Sequence, residues 1–173
     1  MKINIRKTII LSAIYVLVVL SGAIIVNGSA TDKISGWAWS DNIGWISLNC
    51  TNTDCSNSNY GVTVNLSTGN FSGYAWSDTI GWINFAPTIQ SPADSVANYN
   101  SSTGRVTGWI RAVSYGGGWD GWIKLGDSSG EWKTTNNTQV KINSSTKELE
   151  GWAWGSDVVG WISFNCLGTS SCE

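Results

Sequence analysis

The segment Gly36-Trp37-Ala38-Trp39-Ser40-Asp41-Asn42-Ile43-Gly44-Trp45-Ile46-Ser47-Leu48-Asn49 recurs along the chain. It returns as Gly73-Tyr74-Ala75-Trp76-Ser77-Asp78-Thr79-Ile80-Gly81-Trp82-Ile83-Asn84-Phe85. It returns again from Gly151-Trp152-Ala153-Trp154 to Gly160-Trp161-Ile162-Ser163-Phe164-Asn165. A looser copy runs from Gly108-Trp109-Ile110 to Gly121-Trp122-Ile123-Lys124-Leu125. Every tryptophan except Trp132 falls inside one of these segments. The copies start at positions 36, 73, 108 and 151, and spacings of this size mark repeated supersecondary units.

Each full unit contains three strand-like stretches. Val62-Thr63-Val64-Asn65-Leu66 alternates, as do the equivalents around Asn98-Tyr99-Asn100 and Gln139-Val140-Lys141-Ile142-Asn143. A turn rich in Ser, Thr, Gly and Asn follows, where positive φ is tolerated. The second stretch is Phe71-Ser72-Gly73-Tyr74-Ala75-Trp76 and the third is Gly81-Trp82-Ile83-Asn84-Phe85. Aromatic and β-branched residues between turn signals favour strands. The fold class expected is all-β: four antiparallel three-stranded meanders in an open stack or sandwich. A small β-propeller is the alternative, and a hydrophobic helix precedes the domain. The first copy begins at its second strand, and the tail Leu167 to Glu173 is too short and polar to supply the missing one, which favours the open form.

The last two strands of each unit should pair as a hairpin. Placing Trp39 opposite Gly44 sets a large ring beside a small residue. That register puts Ala38 opposite Trp45 and Trp37 opposite Ile46, and likewise Trp109 opposite Ile123. Trp37, Trp39 and Ile46 then share an apolar face, while Trp45 lies on a mixed face beside Ser47.

Residues 1–30 read as a targeting segment. Lys2, Arg6 and Lys7 precede an apolar run over residues 8–26, and Gly28-Ser29-Ala30 offers small residues for a peptidase. The segment is a signal peptide or a retained N-terminal membrane anchor, and both place residues 31–173 outside the cytoplasm as a secreted or cell-surface domain. The repeat cores within that domain are 34–49, 60–86, 97–126 and 138–165. Beyond residue 30 the chain holds seven basic residues against twelve acidic ones, which argues against nucleic acid as a partner. Charged residues make up 13 % of the chain against a usual ~25 %, so Ser, Thr, Asn and Gly carry solubility.

The four cysteines form two local pairs, each directly after an Asn of the repeat: Cys50 with Cys55, and Cys166 with Cys172. Three pairings are open. Two local disulfides, Cys50–Cys55 and Cys166–Cys172, suit an exported chain, and a four-cysteine zinc site is the rival with poorer spacing.

The pattern Gly-Trp-Ala-Trp-Ser, a short Asp-containing loop, then Gly-Trp-Ile-Ser-Phe-Asn resembles the Trp-rich repeats of uncharacterised exported proteins of small-genome environmental bacteria. The resemblance covers residues 34–166 and is weakest in the third copy. It implies export and surface placement, and it transfers no catalytic residues.

Histidine is absent from the sequence, which removes the commonest general base and metal ligand. Asp41, Asp78, Asp120 and Asp157 sit in the hairpin loops, where the expected role is capping backbone amides. A glycosidase would need two of them at a set separation. Asp41-Asn42, Asn52 to Asp54 and Asp127 are oxygen-rich, yet none has calcium-loop spacing. No metal and no cofactor are expected. Trp45, Trp82, Trp122 and Trp161 are candidate stacking platforms for a sugar ring. Arg111 and Tyr115 flank or occupy the longer third-copy loop and join them as candidates. Packing between repeats is the competing role for these tryptophans.

The expectation is a non-catalytic exported structural or interaction protein. A lectin-like carbohydrate binder is the alternative, and a glycoside-acting enzyme ranks third. The partner would be an extracellular glycan or another surface protein, with the membrane engaged only through residues 1–30 if they stay attached.

Overall fold

The computed structural model describes residues 31–88, 95–129 and 139–164. The targeting segment lies outside these residues. So do Cys166 and Cys172, and the second expected disulfide, Cys166–Cys172, is therefore not shown. The chain is all-β, and the strands match the stretches read from the sequence. They are β1 (Thr31–Ile34), β2 (Trp37–Ser40), β3 (Gly44–Ser47), β4 (Val62–Asn65), β5 (Phe71–Ser77), β6 (Gly81–Asn84) and β7 (Asn98–Tyr99). Then follow β8 (Val106–Ala112), β9 (Trp122–Gly126), β10 (Lys141–Ile142), β11 (Leu149–Glu150), β12 (Trp152–Trp154) and β13 (Trp161–Ser163). A 3-10 turn spans Cys50–Asn52, and one short helix, α1 (Ser156–Val159), forms the fourth hairpin loop.

The repeats do not stack in an open row. The four hairpins β2–β3, β5–β6, β8–β9 and β12–β13 pair edge to edge and close an eight-stranded antiparallel ring. The joints are β3 on β5, β6 on β8, β9 on β12 and β13 on β2. Closure needs no donated strand, because Ile162 and Ser163 of the last hairpin pair with Ser40 and Trp39 of the first. Loop side chains reinforce the joints. Thr79 Oγ1 donates to Ile43 O at 2.9 Å, and Asn42 Nδ2 donates to Asp157 O at 3.0 Å.

The register differs from the expected one by a single residue. Ser40 faces Gly44, Trp39 faces Trp45, Ala38 faces Ile46 and Trp37 faces Ser47. The second hairpin repeats this with Ser77–Gly81, Trp76–Trp82 and Ala75–Ile83. In the third, Trp109 faces Lys124 and Ile110 faces Ile123. A one-residue slip exchanges the faces of one strand relative to the other. The indoles carried by the hairpin strands therefore move to one face, outside, and the small and aliphatic residues fill the ring.

The reason is volume. An eight-stranded ring has an interior just wide enough to be filled by side chains. Ala38 with Ile46, Ala75 with Ile83, and Ala153 with Ile162 meet there as small-against-large pairs, all buried. Leu48, Phe85, Leu125 and Phe164 close one end of the core. Indoles at these positions would overfill it. Outside, Trp39 and Trp45 pack edge to face with centroids 4.8 Å apart, and Trp76 and Trp82 repeat the contact at 4.7 Å. Such pairs contribute about 0.5–1.5 kcal/mol beyond burial.

A second tier hangs below the ring. Within β5 the chain bends at Gly73, at φ 87°, so that its first half pairs with β4 and its second half with β3 and β6. A Cβ on Gly73 would lie 2.0 Å from Gly61 O. Strand β4 sits between β1 and β5, and β7 pairs with β8 while its Asn98 bridges to Asn70 on the other side. Among the described residues no outer strand precedes β1. There a cavity of about 600 Å³ opens between Ile34 and Leu149.

Gly73→Ala should cost well above the ~1–2 kcal/mol of left-handed backbone, because the new methyl also meets a carbonyl. Gly36→Ala carries the same backbone penalty, at φ 94°, but its Cβ would meet nothing within 4 Å. Urea unfolding should therefore rank Gly73→Ala as the more destabilised of the two. Equal losses would contradict the described bend.

Candidate functional site

Three side-chain rows on the outer face of the first two hairpins border one groove of about 430 Å³. Trp37 and Trp45 form one wall, in edge contact at 6.1 Å. They are 40 % and 47 % exposed, which is unusual for residues of this size. Trp76, Trp82 and Tyr60 form the facing wall, with Tyr60 edge-on to Trp82 at 5.1 Å. The loop after β3 supplies the rim through Thr53, Asp54, Asn57 and Ser58.

That loop is held at several points. Cys50 and Cys55 form a disulfide, with Cα atoms 4.8 Å apart, so the local pairing holds for this pair. Cys166 and Cys172 are not among the described residues. A bridged Cys50 and Cys55 are not available to zinc, which removes the four-cysteine site whatever Cys166 and Cys172 do. Asn49 starts the 3-10 turn by accepting from Thr51 N at 3.1 Å, and its amide donates to Ile34 O at 3.2 Å. Asn52 Oδ1 accepts from Gly36 N at 3.0 Å. Tyr60 donates its hydroxyl to Ser47 Oγ at 2.8 Å, which fixes the ring against the sheet. The bridge thus holds the rim of the groove rather than the ring itself.

Two carboxylates face the groove. Asp54 accepts from Ser56 Oγ at 2.6 Å and from Ser56 N at 2.9 Å. These two hydrogen bonds, the hydroxyl first, hold its carboxyl below the usual carboxylate range. Asp78 accepts from the indole N–H of Trp76 at 2.8 Å, as Asp41 does from Trp39 at 3.1 Å. The repeated Trp-Ser-Asp triplet is therefore an indole-orienting device, and the backbone-capping role expected for these two is replaced by a side-chain one. Asp120 does meet a backbone N–H, that of Trp122 at 3.2 Å.

The six candidate ligand-binding side chains do not converge. Trp45 and Trp82 lie in the groove. Trp161 is half-buried against Trp154, with centroids 5.0 Å apart, in the fourth hairpin. Trp122 is only 5 % exposed, because Arg111 covers it. The Arg111 guanidinium lies 4.5 Å from the Trp122 centroid and 3.8 Å from that of Tyr115, and its Nε donates to Asp120 O at 2.9 Å. Arg111 is thus stacked between Trp122, which it covers, and Tyr115, which is exposed. Sequence reasoning missed Trp37 and Trp76, which the shifted register had put on the apolar face. It also missed Tyr60 and Asn57, which carry no repeat signature. The disulfide was the available hint that the loop beside them is built.

A second depression of about 320 Å³ lies on the other side of Tyr60 and Trp82, bordered by Tyr74 and Val113. The two depressions share these rings, so the aromatic surface extends beyond one groove. Among the described residues no three acidic or cysteine side chains gather into a metal-binding group, and no helix is long and apolar enough to cross a membrane. The chain matches no protein-family model, no curated protein and no solved structure.

Replacing both Cys50 and Cys55 by Ser should lower stability by about 2 kcal/mol, the chain-entropy value for so short a loop. Urea unfolding of the double variant checks this. Loss of the cooperative transition would mean that the loop staples the ring, contrary to its place on the rim.

Proposed function

We propose that this chain is an exported, non-catalytic binding protein whose outer aromatic groove takes a carbohydrate. The observation that carries the proposal is the pair of exposed indoles, Trp37 and Trp45, facing Trp76, Trp82 and Tyr60 across a groove rimmed by Asp54, Asn57 and Asp78. A pyranose presents an apolar C–H face and a ring of hydroxyls. An indole satisfies the first, and carboxylate or amide oxygens accept from the second. The depression past Tyr60 suits an oligosaccharide better than a single ring.

Two further features support this reading. The exposed indoles are not needed to fill the core, which aliphatic residues already fill, so their cost in solubility calls for another role. The Cys50–Cys55 bridge fits an oxidising compartment, in keeping with the targeting segment expected at residues 1–30. Hydrolysis is the weaker reading. A general acid requires a raised carboxyl pKa, whereas hydrogen bonds hold Asp54 low.

Titration calorimetry against a panel of oligosaccharides tests the proposal. At least one saccharide should bind saturably, and Trp45→Ala should weaken it at least about tenfold, as loss of a central aromatic anchor does. The variant's circular dichroism should keep the parent's β signature, with a melting temperature lowered only by the lost Trp39–Trp45 contact. No binding across the panel, or undiminished binding by Trp45→Ala, would overturn it.

A further inference from the structure

The groove and the third hairpin occupy equivalent places in the repeat, yet their chemistry is complementary. Position 111 corresponds to Trp39 and Trp76, and Trp122 corresponds to Trp45 and Trp82, as the cross-strand pairs Arg111–Trp122, Trp39–Trp45 and Trp76–Trp82 establish. In the third hairpin the chain lays its own cation on the outer aromatic row. Arg111 sits over Trp122 and Tyr115, and Lys124 Nζ lies 5.9 Å from the Trp109 centroid. Indole faces attract cations through the ring quadrupole, and Trp is the strongest of the aromatic side chains in this respect. This outer row is therefore a surface on which a guanidinium or ammonium group settles.

The first two hairpins offer the same rings with no cation of their own. Among the described residues no Lys or Arg borders the groove, and its ionisable side chains are Asp54, Asp78 and Tyr60. Each carboxylate already accepts from one neighbour, Ser56 or Trp76, and a carboxylate has about four acceptor sites. Both are thus oriented and can still accept. The groove is negative and aromatic, which disfavours uronic acids, sulfated sugars and other anions.

We infer that the groove selects a protonated amino sugar, its ring stacked on the exposed indoles and its ammonium group held by Asp54 and Asp78. This inference rests on the carbohydrate reading above and narrows it to a glucosamine-type ligand. A charge-assisted hydrogen bond is about twice as strong as a neutral one, so the ammonium should distinguish ligands that stack equally well.

The test titrates the full chain with three oligosaccharides of the same length and linkage, built from glucosamine, N-acetylglucosamine or glucose. At about pH 6 the ligand's amine is charged. The glucosamine oligomer should bind about tenfold tighter than the other two, the smaller effect expected of a hydrogen bond to a charged group. That advantage should shrink as salt is raised. In an Asp54→Asn, Asp78→Asn double variant the gap between amino and neutral oligomers should close. Asparagine can still accept from Ser56 and from the Trp76 indole, and a thermal melt checks the fold. If the double variant does not fold, Asp54→Asn alone on the exposed loop should narrow the gap. Asp41→Asn, which lies outside the groove, should leave the gap as it was. Equal binding of all three oligomers would overturn the amino-sugar inference and leave the carbohydrate reading intact. No binding of any of them by the parent would count against both.

Discussion

One contact, the cross-strand indole pair, organises the molecule. Trp39 against Trp45 and Trp76 against Trp82 fix which residues of each hairpin lie opposite one another. In a sheet the choice of partner is also the choice of face. Once the indoles meet outside, Ala and Ile are the residues left to meet inside, and they are the volumes an eight-stranded ring can enclose. The loop aspartates complete the device by taking the indole N–H of Trp39 and of Trp76, so these two rings have a partner at both the ring and its nitrogen. The ring closes because four hairpins of similar width pair edge to edge, without borrowing a strand from either end.

The sequence made the strands legible because period-two alternation, glycine turns and aromatic enrichment all pointed the same way. Val62, Phe71 and Gly81 open strands where that reading put them. It also anticipated the Cys50–Cys55 bridge, while the parallel expectation for Cys166 and Cys172 falls outside the described residues. What it missed was one residue of register, and with it the faces of the tryptophans. Placing Trp39 beside Gly44 satisfies a pairwise steric argument. Placing it beside Trp45 satisfies an aromatic contact and a closed core together, and the second demand is visible only when the ring is complete. Closure itself was obscured for a related reason. Among the described residues the first repeat has no outer strand before β1, and the strand absent there belongs to the outer tier rather than to the ring.

Site residues were legible only in part. Trp45 and Trp82 were singled out, and the structure brings both to the groove. Trp122 was grouped with them by repeat position, yet Arg111 covers it. The same backbone thus supports two surfaces, one closed by an internal cation and one left open beside two carboxylates. The substitution responsible, Arg111 for tryptophan, is plain in the sequence. Its consequence depends on Tyr115 folding back from the long loop, which no pattern announces. The rim of the groove is a similar case, since Asp54 and Asn57 gain their place from the disulfide loop and not from the repeat.

The account depends on the indoles being outside the ring. Limited oxidation of the native chain with N-bromosuccinimide, followed by peptide mass mapping, reads this residue by residue. Among the tryptophans of the described residues, Trp37 and Trp45 should be modified first and Trp122 should resist until the protein is unfolded. Protection of Trp37 together with rapid oxidation of Trp122 would contradict the register and the groove built on it.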